Sequence, residues 1–137
     1  MISVDEARAL VLALAPAPQA EDIPVAEGLG RALLSPAVAA LTQPPFDASA
    51  MDGWAVRGDD VAPGAVLDIM GESAAGHALD AEIGRGQTAR ISTGAALPPG
   101  ADRVVIQEEA DREGDRVVLR ASTDGARHVR VRGCDFR

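Results

Sequence analysis

The sequence predicts an α+β fold, mostly β, with one N-terminal helix and a β-rich lobe of short strands. Three observations carry this. A capping box near the start is followed by helix-spaced apolar residues. From Val61 onward the apolar residues fall into short, partly alternating runs. Gly and Pro punctuate those runs at close intervals. At 137 residues the chain is large enough for one ordinary domain or two small ones. Hydrophobic residues make up 47%, which indicates a folded rather than a disordered chain. Aromatics are only 2%, so the core must be built from Ala, Val, Leu and Ile.

Ser3-Val4-Asp5-Glu6 matches the capping box, with Ser3 as N-cap and Glu6 three residues on. Ala7, Leu10, Val11 and Leu14 continue at helical spacing, and Pro16 and Pro18 stop the helix. Residues 21–24 are an acidic loop. Gly28 and Gly30 limit any helix in 25–34 to a turn or two. The run 37–41 has strand length, although Ala is a poor strand former. Strands are predicted at 66–70, 87–91, 103–107, 116–120 and 128–132. Residues 71–76, 84–86, 97–100 and 122–125 are predicted turns or loops. The charged stretch 108–115, with Gly114, is expected to be an exposed hairpin loop between RVVIQ and RVVLR.

Net charge is −8 and every basic residue is Arg, which argues against nucleic acid or an anionic membrane as the main partner. Cys134 is the single Cys, so no internal disulfide forms. No apolar run is long enough to span a bilayer, and a cytoplasmic protein is the default expectation. His77 and His128 do not have the spacing of a zinc pair. No phosphate-binding P-loop or dinucleotide fingerprint is present.

Three places suit chemistry. In 44–60, PPFDASAMDGWAVRGDD, Asp52 stands inside an apolar frame, where a carboxylate is costly to bury unless paired, hydrogen-bonded or metal-bound. The alternative is a solvent-facing Asp52-Gly53 hairpin turn. In Arg90-Ile91-Ser92-Thr93-Gly94-Ala95, two hydroxyls and the N–H groups of a Gly-containing turn suit an oxyanion. The alternative is a plain hydroxyl-capped turn. In 128–137, Arg130 and Arg132 lie on one face of a predicted strand and suit a phosphate. The alternative is an edge strand blunted by charge.

Together these stretches carry a resemblance. Pro45-Phe46-Asp47-x-Ser49-Ala50-Met51-Asp52-Gly53-x-Ala55-Val56 closely resembles the signature of the molybdopterin molybdenumtransferase family, the MoeA and gephyrin-E type. Arg90-Ile91-x-Thr93-Gly94-Ala95-x-x-Pro98-x-Gly100-Ala101-Asp102-x-Val104-Val105 resembles its second N-terminal motif, continued by Gln107-Glu108. Arg130-x-Arg132-Gly133-x-Asp135 resembles the third, and Leu29-Gly30-Arg31-x-Leu33 an earlier Gly-Arg element. Ala48, Trp54 and Cys134 depart from it, standing where Asn, Tyr and an acid are usual.

The resemblance implies the N-terminal region of a longer enzyme, ending before a pterin-binding domain. Such an enzyme inserts molybdenum from molybdate into adenylylated molybdopterin, with Mg2+, and releases AMP. It implies a homodimer whose active site lies between this region and the pterin-binding domain of the partner subunit. Carried over by motif, Asp52, Thr93 and Asp135 are the expected catalytic positions. Ser49, Ser92 and Arg132 are expected to bind substrate, and Asp52 and Asp135 to hold the metal. The expected layout is a lobe of 1–43 with 128–137 and an inserted β-rich lobe of 44–127. The second reading is a non-catalytic dimerisation or scaffold module of the same family.

Overall fold

Ser3 starts the helix as its sequence predicts. In the computed structural model, which describes residues 2–120 and 127–137, the Glu6 N–H donates to the Ser3 hydroxyl at 3.2 Å. The Glu6 carboxylate in turn accepts from the Ser3 N–H at 2.7 Å. These bonds satisfy helix N–H groups that have no intrahelical partner. Helix α1 runs Val4–Ala13. The chain divides into two compact units, Met1–Val38 and Ala39–Arg137.

The first unit has no core of its own. None of its described residues is buried, and Leu10, Val11, Leu14, Leu29, Leu33 and Leu34 are all exposed. The Ala-rich run 37–41 forms no strand, because its residues find no pairing partner and lie exposed.

The described residues of the second unit form eight strands: β1 Ala48–Ser49, β2 Gly53–Val56, β3 Val66–Ser73, β4 Gln87–Ile91, β5 Arg103–Ile106, β6 Ala110–Glu113, β7 Arg116–Leu119 and β8 Val129–Arg130. Six form one sheet in the order β5-β2-β4-β3-β7-β6, and β1 pairs separately with β8. All neighbours in the large sheet are antiparallel except β3 and β4.

Strand order forces this sheet to curl. The two end strands, β5 and β6, are joined only by the 3-10 turn Gln107–Glu109. Four Cα steps reach at most about 14 Å, whereas six flat strands span about 24 Å. The edges must therefore bend toward each other. Trp54, Val56, Leu67, Val105, Ala110, Val117 and Leu119 fill one face as a single cluster drawn from five strands. On the other face, Ala55, Ile91, Ala95 and Val104 pack with Leu97, Ala101 and Val129. Strand β2 is consequently buried on both faces.

The expected loop at 108–115 is corrected. Residues Ala110–Glu113 are strand β6, whose hairpin to β7 turns on Gly114-Asp115. Three of its four residues are exposed, so it carries no apolar alternation, and Arg120 grips its Asp111 (Nε to Oδ2 2.8 Å). RVVIQ and RVVLR are not hairpin partners: β5 pairs with β2, and β7 with β3 and β6. Gly71–Ser73, expected as loop, extends β3. The predicted strand 128–132 contracts to β8. The predicted turn 122–125 lies outside the described residues.

Ser73 links the sheet to the segment after β4. It is fully buried, and its hydroxyl donates to the Ala96 carbonyl at 2.7 Å. Ser73→Ala leaves that carbonyl short of a partner and is expected to destabilise the fold by about 1–3 kcal/mol, read as a lower urea midpoint.

Candidate functional site

Strand β1 is only two residues long, yet it is bonded on both sides. Toward one side, the Ser49 N–H donates to the Ala95 carbonyl and the Gly94 N–H to the Ser49 carbonyl, both at 2.9 Å. Leu97 N–H donates to the Asp47 carbonyl at 2.9 Å. Toward the other, β1 pairs with β8, and the Ala50 N–H donates to the His128 carbonyl at 2.8 Å. The three stretches singled out in the sequence thus meet at β1.

Asp52 follows on a bend between β1 and β2. Its carboxylate is exposed, while Gly53, Trp54, Ala55 and Val56 are buried. The apolar frame therefore belongs to the strand after Asp52 and does not enclose the acid. Nor is Asp52-Gly53 a hairpin turn, since β1 and β2 lie in different sheets. Asp52 Oδ1 accepts from the Thr93 N–H at 2.7 Å and from the Thr93 hydroxyl at 3.0 Å. These two bonds, the backbone one foremost, hold the Asp52 carboxyl below the ordinary Asp range, and the Arg90 charge adds to them. Among the described residues Oδ2 takes no hydrogen bond. Gly94 makes the turn feasible: its φ of 82° is a conformation glycine adopts without penalty.

The tail folds back beside this bend. Gly133 N–H donates to the Pro44 carbonyl at 3.0 Å, and Gln43 N–H to the Phe136 carbonyl at 2.9 Å. Asp47 Oδ1 accepts from the Arg132 N–H at 2.7 Å. Both Asp135 oxygens accept from Arg130 Nη2 at 2.5 Å. That bond lowers the Asp135 carboxyl below its usual range and raises the Arg130 guanidinium.

The structure brings Asp52 and Thr93 into direct contact. It places Asp135 on Arg130 instead, with no bond to Asp52. Ser49 is buried, and its hydroxyl is committed to its own turn, donating to the Met51 carbonyl at 2.5 Å. Ser92 is half-buried, with its N–H on the Ser73 carbonyl at 3.1 Å. Arg132 is exposed, and its guanidinium makes no hydrogen bond or ion pair among the described residues. Sequence reading missed two groups. Asp47 ties the tail to β1, and Arg90 lies over the Trp54 ring, 5.5 Å from its centroid. Arg90 and Trp54 are cross-strand partners on β4 and β2, a pairing that leaves no local signal in the sequence.

Among the described residues, no three His, Cys, Asp or Glu side chains gather in a group able to hold a metal. A hard, strongly hydrated cation needs only one or two protein carboxylates beside substrate phosphates. Asp52 offers one open oxygen for that purpose, while both Asp135 oxygens are engaged. No helix among the described residues is long and apolar enough to cross a membrane.

Comparison with known proteins identifies the family. A curated molybdopterin molybdenumtransferase of Haemophilus influenzae is 34% identical over 119 residues, covering 86% of this chain and 30% of the relative. One from a Nostoc species is 36% identical over 113 residues, covering 79% of this chain and 26% of the relative. The chain thus spans less than a third of these relatives' length. The crystal structure of the molybdopterin biosynthesis moeA protein from Pyrococcus horikoshii superposes with a TM-score of 0.75 at 31% identity, over 85% of this chain and 32% of that one. The family model described as the MoeA N-terminal region, domains I and II, matches residues 2–137. With the model spanning nearly every residue, the chain belongs to the MoeA N-terminal family.

Proposed function

We propose that this chain is the N-terminal part of a cytoplasmic molybdenum cofactor biosynthesis enzyme. The full enzyme transfers molybdenum from molybdate into adenylylated molybdopterin and releases AMP. The observation that carries the reading is the Asp52–Thr93 pair. Thr93 holds one carboxylate oxygen by two hydrogen bonds and leaves the other open at an exposed bend.

Molybdate is a dianion and the adenylylated pterin carries a pyrophosphate, so bringing them together costs several kcal/mol at low effective dielectric. Magnesium bound at the open Asp52 oxygen would supply charge neutralisation there. Thr93 fixes the orientation of Asp52 and keeps it ionised. Arg132, whose guanidinium has no hydrogen bond or ion pair among the described residues, would meet phosphate charge. Asp135, paired with Arg130 at the surface, would reach the metal by leaving that pair. Ser92 and Ser49 support the two turns from behind. The active site is completed by the pterin-binding domain of the partner subunit of a homodimer. In that assembly residues 1–43 and 128–137 form one lobe and 44–127 the inserted one.

The test is complementation. The chain is mixed with a separately made pterin-binding half, molybdate and adenylylated molybdopterin, and AMP is measured. AMP release that requires both halves supports the reading. A second reading, a dimerisation or scaffold module, is favoured by the exposed leucines and valines of residues 2–38. A dimer by sedimentation that binds neither molybdate nor Mg2+ would favour that second reading.

A further inference from the structure

We propose that Arg90 is a positioning residue for Asp52, strapping the chain where it leaves that bend. Arg90 Nη1 donates to the Gly53 carbonyl at 3.0 Å, immediately after Asp52. Its Nη2 donates to Gln107 Oε1 at 2.9 Å. The Gln107 N–H donates in turn to the Asp52 carbonyl at 3.1 Å. A closed circuit of bonds therefore runs from Arg90 through Gly53, Asp52 and Gln107 and back. Trp54, buried and the cross-strand partner of Arg90, presents its ring to the guanidinium, 5.5 Å from the centroid.

The guanidinium does not hydrogen-bond the Asp52 carboxylate. It acts through the backbone carbonyls of Asp52 and Gly53 and through its charge. The two functions are separable by chemistry. A guanidinium fork reaches two acceptors at fixed angles, whereas an ammonium is a point charge on a flexible stem. Arg90→Lys keeps the charge and loses the fork; Arg90→Gln loses both.

This inference rests on Asp52 being the working carboxylate. The full-length protein carrying this segment is compared as Arg90→Lys, Arg90→Gln, Gln107→Ala and Asp52→Asn. Turnover with molybdate is measured alongside the NMR amide signals of Asp52, Gly53 and Thr93. Arg90→Lys is expected to lower kcat about 10-fold with KM for molybdate nearly unchanged, as misplacement of a reacting group does. The amide signals of Asp52 and Gly53 are expected to shift in the same variant. Wild-type kcat in Arg90→Lys overturns the strap, because it leaves charge alone in play. Should the Arg90 variants fail to fold, Gln107→Ala decides. It trims an exposed side chain and removes only the outer anchor, so a several-fold loss of kcat supports the strap and wild-type kcat overturns it. Full activity in Asp52→Asn instead sinks the functional reading. In that event the amide signals decide the strap: a shift at Asp52 and Gly53 in Arg90→Lys supports it, and unmoved signals overturn it.

Discussion

Asp52→Asn is expected to leave the curled sheet folded and to lower molybdenum insertion by the full-length protein about 100-fold or more, the scale on which removing one preorganised electrostatic contact acts. The amide oxygen of Asn can still accept from both the Thr93 N–H and its hydroxyl, so the bend has no reason to move. What disappears is the negative charge on the open oxygen. Because the Asp52 carboxyl titrates below the ordinary Asp range, its contribution to folding is present above that range. It is lost only as the pH falls through the lower folded value. At neutral pH the variant therefore tests charge. Circular dichroism should be unchanged while AMP release falls. Near-normal turnover would refute the role given to Asp52.

Gly53→Ala should act in the opposite way, through the fold. A Cβ at Gly53 would lie 2.0 Å from the Val105 carbonyl oxygen and 2.9 Å from the Val105 carbonyl carbon. Both are backbone atoms of β5, so no side chain can swing away. Gly53 pairs with β4 through Ile91 and with β5 through Ile106, and one of these ladders must open. Overpacking of this kind costs roughly 3 kcal/mol. The expected result is a thermal midpoint lower by about 10 °C. Displacing β5 also moves Gln107, whose N–H holds the Asp52 carbonyl. Activity should therefore fall further than the unfolded fraction explains. An unchanged midpoint would contradict the close approach of these strands.

The contrast between these neighbours shows what the sequence can disclose. Asp-Gly reads as a turn, because that is where the dipeptide is commonest. Here the glycine is needed for room between strands, and its φ is not in the left-handed region. Helix α1 was legible because its cap and its spacing are local. Strand β4 was legible because glycines flank it on one side and Ser-Thr-Gly on the other. Strand β6 was not, since its exposed charges look like a loop until a neighbour is supplied. The order of the sheet was not legible either, because pairing between distant strands leaves no local pattern. The contact between Asp52 and Thr93 crosses 41 residues, and only the family resemblance pointed to it. Arg90 gave no warning of its grip on Gly53 and Gln107.

Strand β1 gives these distant parts a shared fate. Two residues, Ala48 and Ser49, supply the pairing edge for the Gly94–Leu97 segment on one flank and for the returning tail on the other. Disturbing either flank loosens β1, the edge with which the other flank pairs. Natural variation at the Thr-Gly turn and in the terminal Arg-Gly segment should therefore be correlated, although neither touches the other in sequence.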